Sequence, residues 1–552
     1  MEENRGIGGL CVAPNRSAAY LAGYSRRSAI DGAPAARRAL LELLAKCAEQ
    51  DWLDCGRALV LRGDLDVATV VLTAAIAEYP DSVELALALA GTFWQTKQFG
   101  AAESLLRALL IRQPANVATT FLLAKVLKEQ ARMQAAATVM RSLFEHARHP
   151  TDIVIRAVEL LDDCGSKKEA AQLCENEIAA GSTDPRLYAY AGMLEMQLGD
   201  FERARRRYLF ALLNDPRAAD WQCANGLAAC QRYSESSHSD FALFRSCLQQ
   251  PALSEKARAS ILFALGKAHD DVAEFEAATG YFRQANVTVG GVTEWSRKNW
   301  RRAVEARLDS KPMLYRNERE DNCVPVFVVG MPRSGTTVLA ELLARHPAVC
   351  HRGELAWLPF LARQLALAGK PTRALLEKAA ANYLAQIRQD DSAARWIIDK
   401  QPLNFMHVDL IAALFPNARV IYCERSGRDT ALSIWMQYFA GAEENFAYDF
   451  SNIAVVMKDS ARLMAFAQER HPRLIHRVGY EALTRDAAAC VATLAEWLGL
   501  PEFDLTAEQK NDASVISTAS LWQARQPVYT RSVGRWHAYA PYLPELLKFP
   551  MQ

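Results

Sequence analysis

The spacing of apolar residues divides the chain into two parts with different periods. From about residue 36 to about residue 308, apolar residues recur at helical spacing, and the segment is dense in Ala, Leu, Glu and Arg. From about residue 322 onward, short apolar runs alternate with helical stretches. The pattern predicts a helical domain over 36–308 and an α/β domain over 322–552. Residues 1–35 lack a period and are predicted to form a flexible N-terminal arm.

The helical part contains an internal repeat. Pro80 and Pro114 stand 34 residues apart, and the segment between them has a small residue at Gly91 and a polar turn before the aromatic Phe99. A related segment reads DPRLYAYAGMLEMQLGDFERARRRYLFALLNDP. This pattern resembles the tetratricopeptide repeat, in which helix pairs pack closely at small residues and stack into a solenoid. The resemblance implies a protein partner on the concave face of these repeats.

The second part is typical of a parallel sheet with helices on both faces. Its predicted strands are VPVFVVG, RWIIDK, ARVIYCER and RLIHRV. Between them lie TTVLAELLARH, MHVDLIAALFP and DTALSIWMQYF, which have helical spacing. The predicted fold class is therefore an α-helical tetratricopeptide solenoid followed by a three-layer, P-loop-like α/β domain with a parallel sheet.

Composition narrows the classes of function. The 552 residues carry a net charge of +1, so no general basic field favours nucleic acid, and any anion site has to be local. The 12 cysteines form no CxxC pair and no metal-ligand cluster with histidines, which indicates free thiols in a reducing compartment and no metal. The start MEENRG is unlike a signal peptide, and no apolar run is long enough for a membrane span. We therefore expect a cytoplasmic protein.

The strongest local motif follows the first predicted strand and reads GMPRSGTT, from Gly330 to Thr337. Its glycines match the spacing of a P-loop, but Thr336 stands where a nucleotide triphosphatase has lysine. Backbone N–H groups at the start of the following helix favour an anion, and the missing lysine argues against a magnesium triphosphate. The residues predicted to hold the anion are Arg333, Ser334, Gly335, Thr336 and Thr337.

The sequence PRSGTT between a strand and a helix resembles the 5′-phosphosulfate loop of the sulfotransferases, most closely the tyrosylprotein sulfotransferases. The resemblance covers roughly the last 230 residues, and bacterial sulfotransferases often carry attached helical repeats. It implies a PAPS-dependent enzyme, in which 3′-phosphoadenosine 5′-phosphosulfate (PAPS) donates a sulfuryl group to an acceptor without a metal ion.

The same resemblance assigns a second anion site for the 3′-phosphate of the donor. In ARVIYCERSGRDTALS, Arg425 follows a strand and Ser433 stands eight residues later, which is the family's spacing. Tyr480 in RVGYEAL resembles the family tyrosine that contacts the nucleotide. Arg535 in RSVGRWHAY would belong to the segment that closes over the nucleotide, and Ser520 is a further predicted contact.

The catalytic assignments also follow from the resemblance. Glu354 matches the glutamate that acts as base in the tyrosylprotein enzymes, whereas other sulfotransferases use a histidine, for which His351 and the more distant His346 are the alternatives. Lys400 matches a lysine near the bridging oxygen of the donor. Lys400 and Arg333 are predicted to stabilise the charge that grows on the leaving phosphate.

Several positions differ from the tyrosylprotein enzymes. Arg352 stands where they have a disulfide cysteine, Leu355 where they have a basic residue, and Gln437 where they have an arginine. These differences argue against acidic tyrosine peptides as acceptors. A predicted apolar rim, suited to a lipid or aromatic acceptor or else part of the core, consists of Leu355, Trp357, Leu358 and Phe360.

The predicted function is transfer of a sulfuryl group from PAPS to an acceptor hydroxyl, with a protein tyrosine as one candidate. The alternatives are a sulfotransferase for a small molecule, a lipid or a glycan, and a repeat scaffold with an inactive transferase domain. A P-loop kinase is disfavoured by Thr336 and by the absence of an obvious magnesium-binding aspartate after an apolar strand.

Overall fold

The computed structural model describes residues 20–25, 28, 32–130, 132–311, 322–355, 357–367, 372–388, 394–439, 441–501 and 531–551. The chain divides into two compact units, Met1–His149 and Pro150–Gln552.

Unit 1 is helical throughout its described residues. In chain order its helices are α1 (Ala33–Leu44), α2 (Glu49–Leu61), α3 (Leu65–Glu78), α4 (Val83–Gln95), α5 (Phe99–Arg112), α6 (Val117–Glu129) and α7 (Met133–His146). From α2 onward, each helix packs against the next. A Cβ on Gly56 of α2 would lie 2.4 Å from Leu72 Cδ2 of α3, so a larger residue there would displace the Leu72 side chain.

Unit 2 begins with further helices of the same kind. They are α8 (Thr151–Asp163), α9 (Lys167–Ala179), α10 (Pro185–Leu198), α11 (Phe201–Asn214), α12 (Cys223–Ala229), α13 (Ser239–Leu248), α14 (Glu255–Asp271), α15 (Phe275–Val292) and α16 (Arg297–Leu308). A Cβ on Gly192 would approach Tyr208 to 3.0 Å, and one on Gly266 would approach Phe282 to 2.7 Å. Each of these pairs is 16 residues apart in the chain, as are Gly56 and Leu72. These three glycines mark points of close helix contact, whereas a Cβ on Gly91 would meet no heavy atom within 4 Å.

The remainder of unit 2 contains a sheet of five parallel strands. The strands are β1 (Val324–Gly330), β2 (Val349–His351), β3 (Trp396–Asp399), β4 (Arg419–Glu424) and β5 (Ile475–Gly479). Their order in the sheet is β2-β3-β1-β4-β5, so the chain places β3 and β4 on opposite sides of β1. Loops from β1, β3 and β4 therefore meet at one edge of the sheet, where open α/β sheets bind ligands.

Helices lie between these strands and after β5. They are α17 (Thr336–Leu343), α18 (Trp357–Leu367), α19 (Arg373–Arg388), α20 (Val408–Leu414), α21 (Gly427–Trp435), α22 (Phe450–Arg470), α23 (Tyr480–Arg485), α24 (Ala487–Leu498) and α25 (Trp536–Tyr539). Short 3₁₀ segments lie at Pro402–His407, Ala442–Tyr448 and Pro544–Lys548.

Alternate residues of β1 enter two different apolar cores. Val326 and Val328 pack with α17 and α24 on one face of the sheet. Phe327 and Val329 belong to the core on the other face, which also contains Phe282 and other residues of α14, α15 and α16. The last helices of the repeat region thus share one core with the sheet.

The predicted fold class is confirmed: a helical repeat array is followed by a three-layer α/β domain with a parallel sheet. The predicted strands correspond to β1, β3, β4 and β5. The short strand β2, of three residues, was not predicted because so few residues carry no period. The domain limits of 1–35, 36–308 and 322–552 stay predictions, since the division between compact units falls at residue 149 and 308–322 lies inside unit 2.

Candidate functional site

Two glycines hold the loop after β1 in a tight turn. Gly330 has φ of 152°, and a Cβ there would lie 2.5 Å from the carbonyl oxygen of Cys423 in β4. Gly335 has φ of 97°, and its Cβ would lie 2.3 Å from Cδ2 of Tyr480. Between them, Arg333 also adopts a positive φ of 69°. This backbone favours glycine and lets a ligand approach the main chain closely.

The hydroxyl groups of the loop are buried at the start of α17. Ser334, Thr336 and Thr337 are 2–4% exposed, and Thr336 is the first residue of the helix. Among the described residues, the Ser334 Oγ has no hydrogen-bond partner. A buried hydroxyl without a protein partner is suited to bind a ligand oxygen. The backbone N–H groups at the N-terminus of α17 add the electrostatic preference for an anion.

The second predicted anion site lies directly beside the loop. Arg425 Nη1 donates a hydrogen bond of 2.9 Å to the carbonyl oxygen of Arg333, and Arg333 Nε donates one of 3.0 Å to Ser433 Oγ. The Arg425 guanidinium also lies over the ring of Tyr480, 4.6 Å from its centroid, and its Nη2 donates to the carbonyl oxygen of Ser532 at 2.6 Å. The loop after β1 and the residues after β4 therefore form one connected site.

The chain near the C-terminus passes over this site. Asp429 of α21 accepts hydrogen bonds from the backbone N–H groups of Gly534 at 2.7 Å and Trp536 at 2.9 Å. The aspartate thereby holds the segment that carries Arg535. The predicted contact Ser520 lies outside the described residues.

A single cavity collects most of the predicted donor-binding residues. Those lining it are Arg333, Gly335, Thr336, Thr337, Arg425, Ser433, Tyr480 and Arg535. The cavity is also lined by the basic residue Lys267 and by the carboxylates Asp270 and Asp429. The lining thus contains four basic side chains and two carboxylates, in a chain whose net charge is only +1. This local excess of basic groups favours an anion.

The two other predicted catalytic residues form a separate pair. The Lys400 Nζ contacts Glu354 Oε1 in a salt bridge; the lysine side chain is completely buried and the glutamate side chain is 30% exposed. Burial lowers the pKa of Lys400, while the Glu354 carboxylate acts in the opposite direction. Neither residue lines the cavity described above. The pair lies at the end of β3, which is adjacent to β1 in the sheet.

Buried polar groups support this pair. Asp399, at the end of β3, accepts hydrogen bonds from Tyr383 at 2.6 Å and from Asn404 at 3.2 Å. Burial raises the pKa of Asp399 to about 7 despite these donors. Burial, together with repulsion from Glu354, raises the pKa of Glu444 to about 7. A second carboxyl group is therefore close enough to Glu354 to repel its charge.

The alternative histidines are held by other contacts. His346 uses both ring nitrogens: Nδ1 accepts from the N–H of Ala348 at 3.0 Å, and Nε2 lies 3.1 Å from the carbonyl oxygen of Pro501. The ring of His351 lies 3.0 Å from Glu341, and its side chain is only 2% exposed. His346 is 6% exposed and the side chain of His351 is 2% exposed, whereas the side chain of Glu354 is 30% exposed. Glu354 is thus the most exposed of the three candidate bases.

The predicted apolar rim is divided between core and surface. Leu358 is completely buried and belongs to the core of the sheet domain, whereas Phe360 is 42% exposed. Leu355 and Trp357 are partly buried and pack against that core. The rim is therefore partly core, which is one of the two interpretations left open by the sequence.

Family comparisons agree with both parts of the chain. Residues 325–504 match the sulfotransferase family, and residues 59–126 match the tetratricopeptide repeat. The chain carries a sulfotransferase-family domain together with tetratricopeptide repeats. The sulfotransferase match begins in β1 and includes the anion loop, Glu354, Lys400, Arg425 and Ser433.

Individual relatives cover parts of the chain. An uncharacterized protein of Aquifex aeolicus (strain VF5) is 29% identical over 327 residues, which are 55% of this chain and 43% of that protein. A protein-tyrosine sulfotransferase of Drosophila melanogaster is 30% identical over 142 residues, or 23% of this chain and 28% of its own. The chain thus spans less than half the length of these two relatives. Among solved structures, the sulfotransferase domain from the Synechococcus PCC 7002 olefin synthase is 21% identical, with a TM-score of 0.32, 41% coverage of this chain and 91% of its own.

Sequence reasoning missed several residues at the cavity of the sulfotransferase domain. Asp429 has a signal in the sequence, because it is an acidic residue in the first turn of a helix that follows a strand. Lys267 and Asp270 have none, since they lie in the repeat region, outside both matched ranges. Only the fold brings them to this cavity.

The described residues lack two kinds of feature. No helix there is long and apolar enough to cross a membrane. No group of three or more His, Cys, Asp or Glu side chains in that part of the chain is arranged to hold a metal ion.

Proposed function

We propose that this protein transfers a sulfuryl group from PAPS to the hydroxyl group of an acceptor. The observation that carries the proposal is the single basic cavity to which both anion sites contribute. Arg333 comes from the loop after β1, whereas Arg425 and Ser433 follow β4, yet the three are linked by hydrogen bonds. A ligand with two separate anionic groups suits such a cavity, and PAPS has a 5′-phosphosulfate and a 3′-phosphate.

The residues present fit this donor better than a nucleoside triphosphate. The loop has the threonine Thr336 in place of the lysine that would reach the β- and γ-phosphates. The buried hydroxyl of Ser334 and the N-terminus of α17 would hold the 5′-phosphosulfate, and Arg425 with Ser433 would hold the 3′-phosphate. Tyr480, packed against Gly335 and Arg425, would contact the nucleotide.

The donor supplies an activated sulfuryl group, and the chain supplies a base and fixed positive charge. Glu354 would accept the proton of the acceptor hydroxyl, because its carboxylate is the most exposed of the candidate bases. Arg333 and Lys400 would stabilise negative charge on the leaving phosphate. Direct contact between Lys400 and Glu354 would keep base and cation in a fixed relation at the end of β3.

The acceptor belongs to one of several hydroxyl classes. The relative from Drosophila melanogaster is named a protein-tyrosine sulfotransferase, which supports a protein tyrosine. Glu444 beside Glu354 disfavours acidic residues around that tyrosine, because like charges repel in a partly buried site. A small molecule, a lipid or a glycan are the alternatives, and the exposed ring of Phe360 suits an apolar acceptor. The repeats are proposed to bind a protein partner.

Calorimetry on the whole chain tests the donor. We expect 3′-phosphoadenosine 5′-phosphate to bind and ATP with magnesium not to bind. The reverse result would support a kinase and refute the proposal. Incubation of cell extract with ³⁵S-labelled PAPS and the protein then tests transfer. The protein with Glu354 intact should give more labelled product than a Glu354 variant. If the donor binds but the two proteins give the same label, the result would support a scaffold with an inactive transferase domain.

A further inference from the structure

The helical repeats supply residues to the cavity of the sulfotransferase domain. Lys267 and Asp270, one turn apart on α14, both line the cavity, as does Phe282 of α15. These helices lie in the same compact unit as the sheet and share its core. Asn286 of α15 further donates a hydrogen bond of 2.9 Å to the carbonyl oxygen of Trp435 in α21. The face of α14 that bears Lys267 and Asp270 is therefore part of the donor site.

Asp270 is directly bonded to the predicted nucleotide-closing segment. One carboxylate oxygen accepts a hydrogen bond from Arg535 Nη2 and the other accepts one from the hydroxyl of Tyr539. Asp270 is 8% exposed, and Tyr539 is fully buried against Phe275 of α15, with ring centroids 5.1 Å apart. Both oxygens of Asp270 are thus occupied, so this carboxylate orients a cation rather than offering free negative charge to an anion.

Two buried carboxylates hold this segment from different parts of the chain. Asp429 binds the backbone N–H groups of Gly534 and Trp536, on either side of Arg535. Asp270 binds the side chain of Arg535 itself. The contact that Asp270 makes uses Nη2 of the guanidinium, and Arg535 also lines the cavity.

We propose that Asp270, from the repeat region, is a positioning residue of the donor site, which aims Arg535 at the bound nucleotide. The repeats and the sulfotransferase domain would then form one donor-binding unit rather than two independent modules. This inference rests on the proposed function, because it requires that the cavity bind the 3′-phosphoadenosine moiety.

A double-mutant cycle tests this role on the full chain. The substitutions are Asp270→Asn, Arg535→Gln and the two combined, and the probe is 3′-phosphoadenosine 5′-phosphate, titrated by calorimetry. We expect Asp270→Asn to weaken binding roughly tenfold, which corresponds to about 1.4 kcal/mol. The double variant should bind no more weakly than Arg535→Gln alone, because Asp270 acts through Arg535.

A matched control removes a carboxylate that joins the same two regions outside the cavity. Glu305 of α16 pairs with Arg462 of α22 at 2.9 Å, and neither lines the cavity. Glu305→Gln should leave affinity for the nucleotide unchanged. If Asp270→Asn does not fold, as judged by circular dichroism, Asp270→Glu replaces it. That variant keeps the charge but displaces Arg535, and it should also bind less tightly.

The outcomes separate this inference from the proposed function. Absence of nucleotide binding in the unaltered protein refutes both. Normal binding in the unaltered protein, with equal or tighter binding in the Asp270 variant, overturns the positioning role alone. Losses that simply add in the double variant also overturn it, because a residue that acts only through overall stability would give additive effects.

Discussion

Replacement of Gly335 by alanine tests the packing on which the anion site depends. Its Cβ would lie 2.3 Å from Cδ2 of Tyr480. Carbon atoms in contact normally stay about 3.5–4.0 Å apart, so the ring would have to move by more than about 1 Å. That movement would disturb the hydrogen bond of 2.7 Å between the hydroxyls of Tyr480 and Ser532 and the stacking of Arg425 on the ring.

The magnitude has two parts. Alanine at a positive φ, here 97°, costs about 1–2 kcal/mol in backbone strain. Forcing a methyl group into a packed site adds about 1–3 kcal/mol. Gly335→Ala should therefore lower the free energy of unfolding by about 2–5 kcal/mol and weaken binding of 3′-phosphoadenosine 5′-phosphate at least about tenfold, because both anion sites touch Tyr480.

Gly499 offers a matched control. It ends α24 with φ of 71°, and a Cβ there would meet no heavy atom within 4 Å. Gly499→Ala therefore carries only the backbone strain and should leave nucleotide affinity unchanged. Urea unfolding and calorimetry on both variants measure the difference. Equal losses of stability, with equal nucleotide affinity, would refute the reasoning.

Three further predictions concern the catalytic pair, its support and the apolar rim. Glu354→Gln and Lys400→Met should lower turnover of labelled PAPS about 10²–10⁴-fold with nucleotide affinity kept, as measured by initial rates and calorimetry. Asp399 has a folded-state pKa raised to about 7, so its contribution to stability is present at low pH and is lost as pH rises through about 7. Asp399→Asn should flatten the fall in urea-measured stability between about pH 4 and pH 7, the interval between the unfolded and folded pKa values of this carboxyl group. Leu358→Ala should lower the melting temperature by removing about 2–5 kcal/mol, whereas Phe360→Ser should change it little.

Each of these predictions has an outcome that contradicts it. Unchanged turnover in the Glu354 variant would favour His351 as the base instead. The same pH dependence in the Asp399 variant and the unaltered protein would mean that this carboxyl group does not titrate in that range. Equal melting temperatures for the Leu358 and Phe360 variants would contradict their assignment to core and surface.

Local spacing was enough to predict most of the fold, whereas the residues of the candidate site were assigned from the resemblance of short motifs. Predicted site residues follow strands that are mostly apolar runs. Parallel strands bring their carboxyl ends to one edge of the sheet. Arg425 and Ser433 were assigned from the resemblance to the sulfotransferases, and the structure links them to Arg333 by hydrogen bonds. The repeat pattern predicted that helices pack closely at small residues, and the structure shows this at Gly266 beside Phe282 but not at Gly91.

Tertiary structure alone decided which distant residues share the cavity. Asp270 and Arg535 are 265 residues apart in the chain, and no local period relates them. The orientation of α18, which buries Leu358 and exposes Phe360, likewise depends on what packs beside it. Sequence patterns report contacts within a few residues or along one repeat. Contacts between the repeats and the sheet depend on how whole elements pack, so they appear only once the chain is folded.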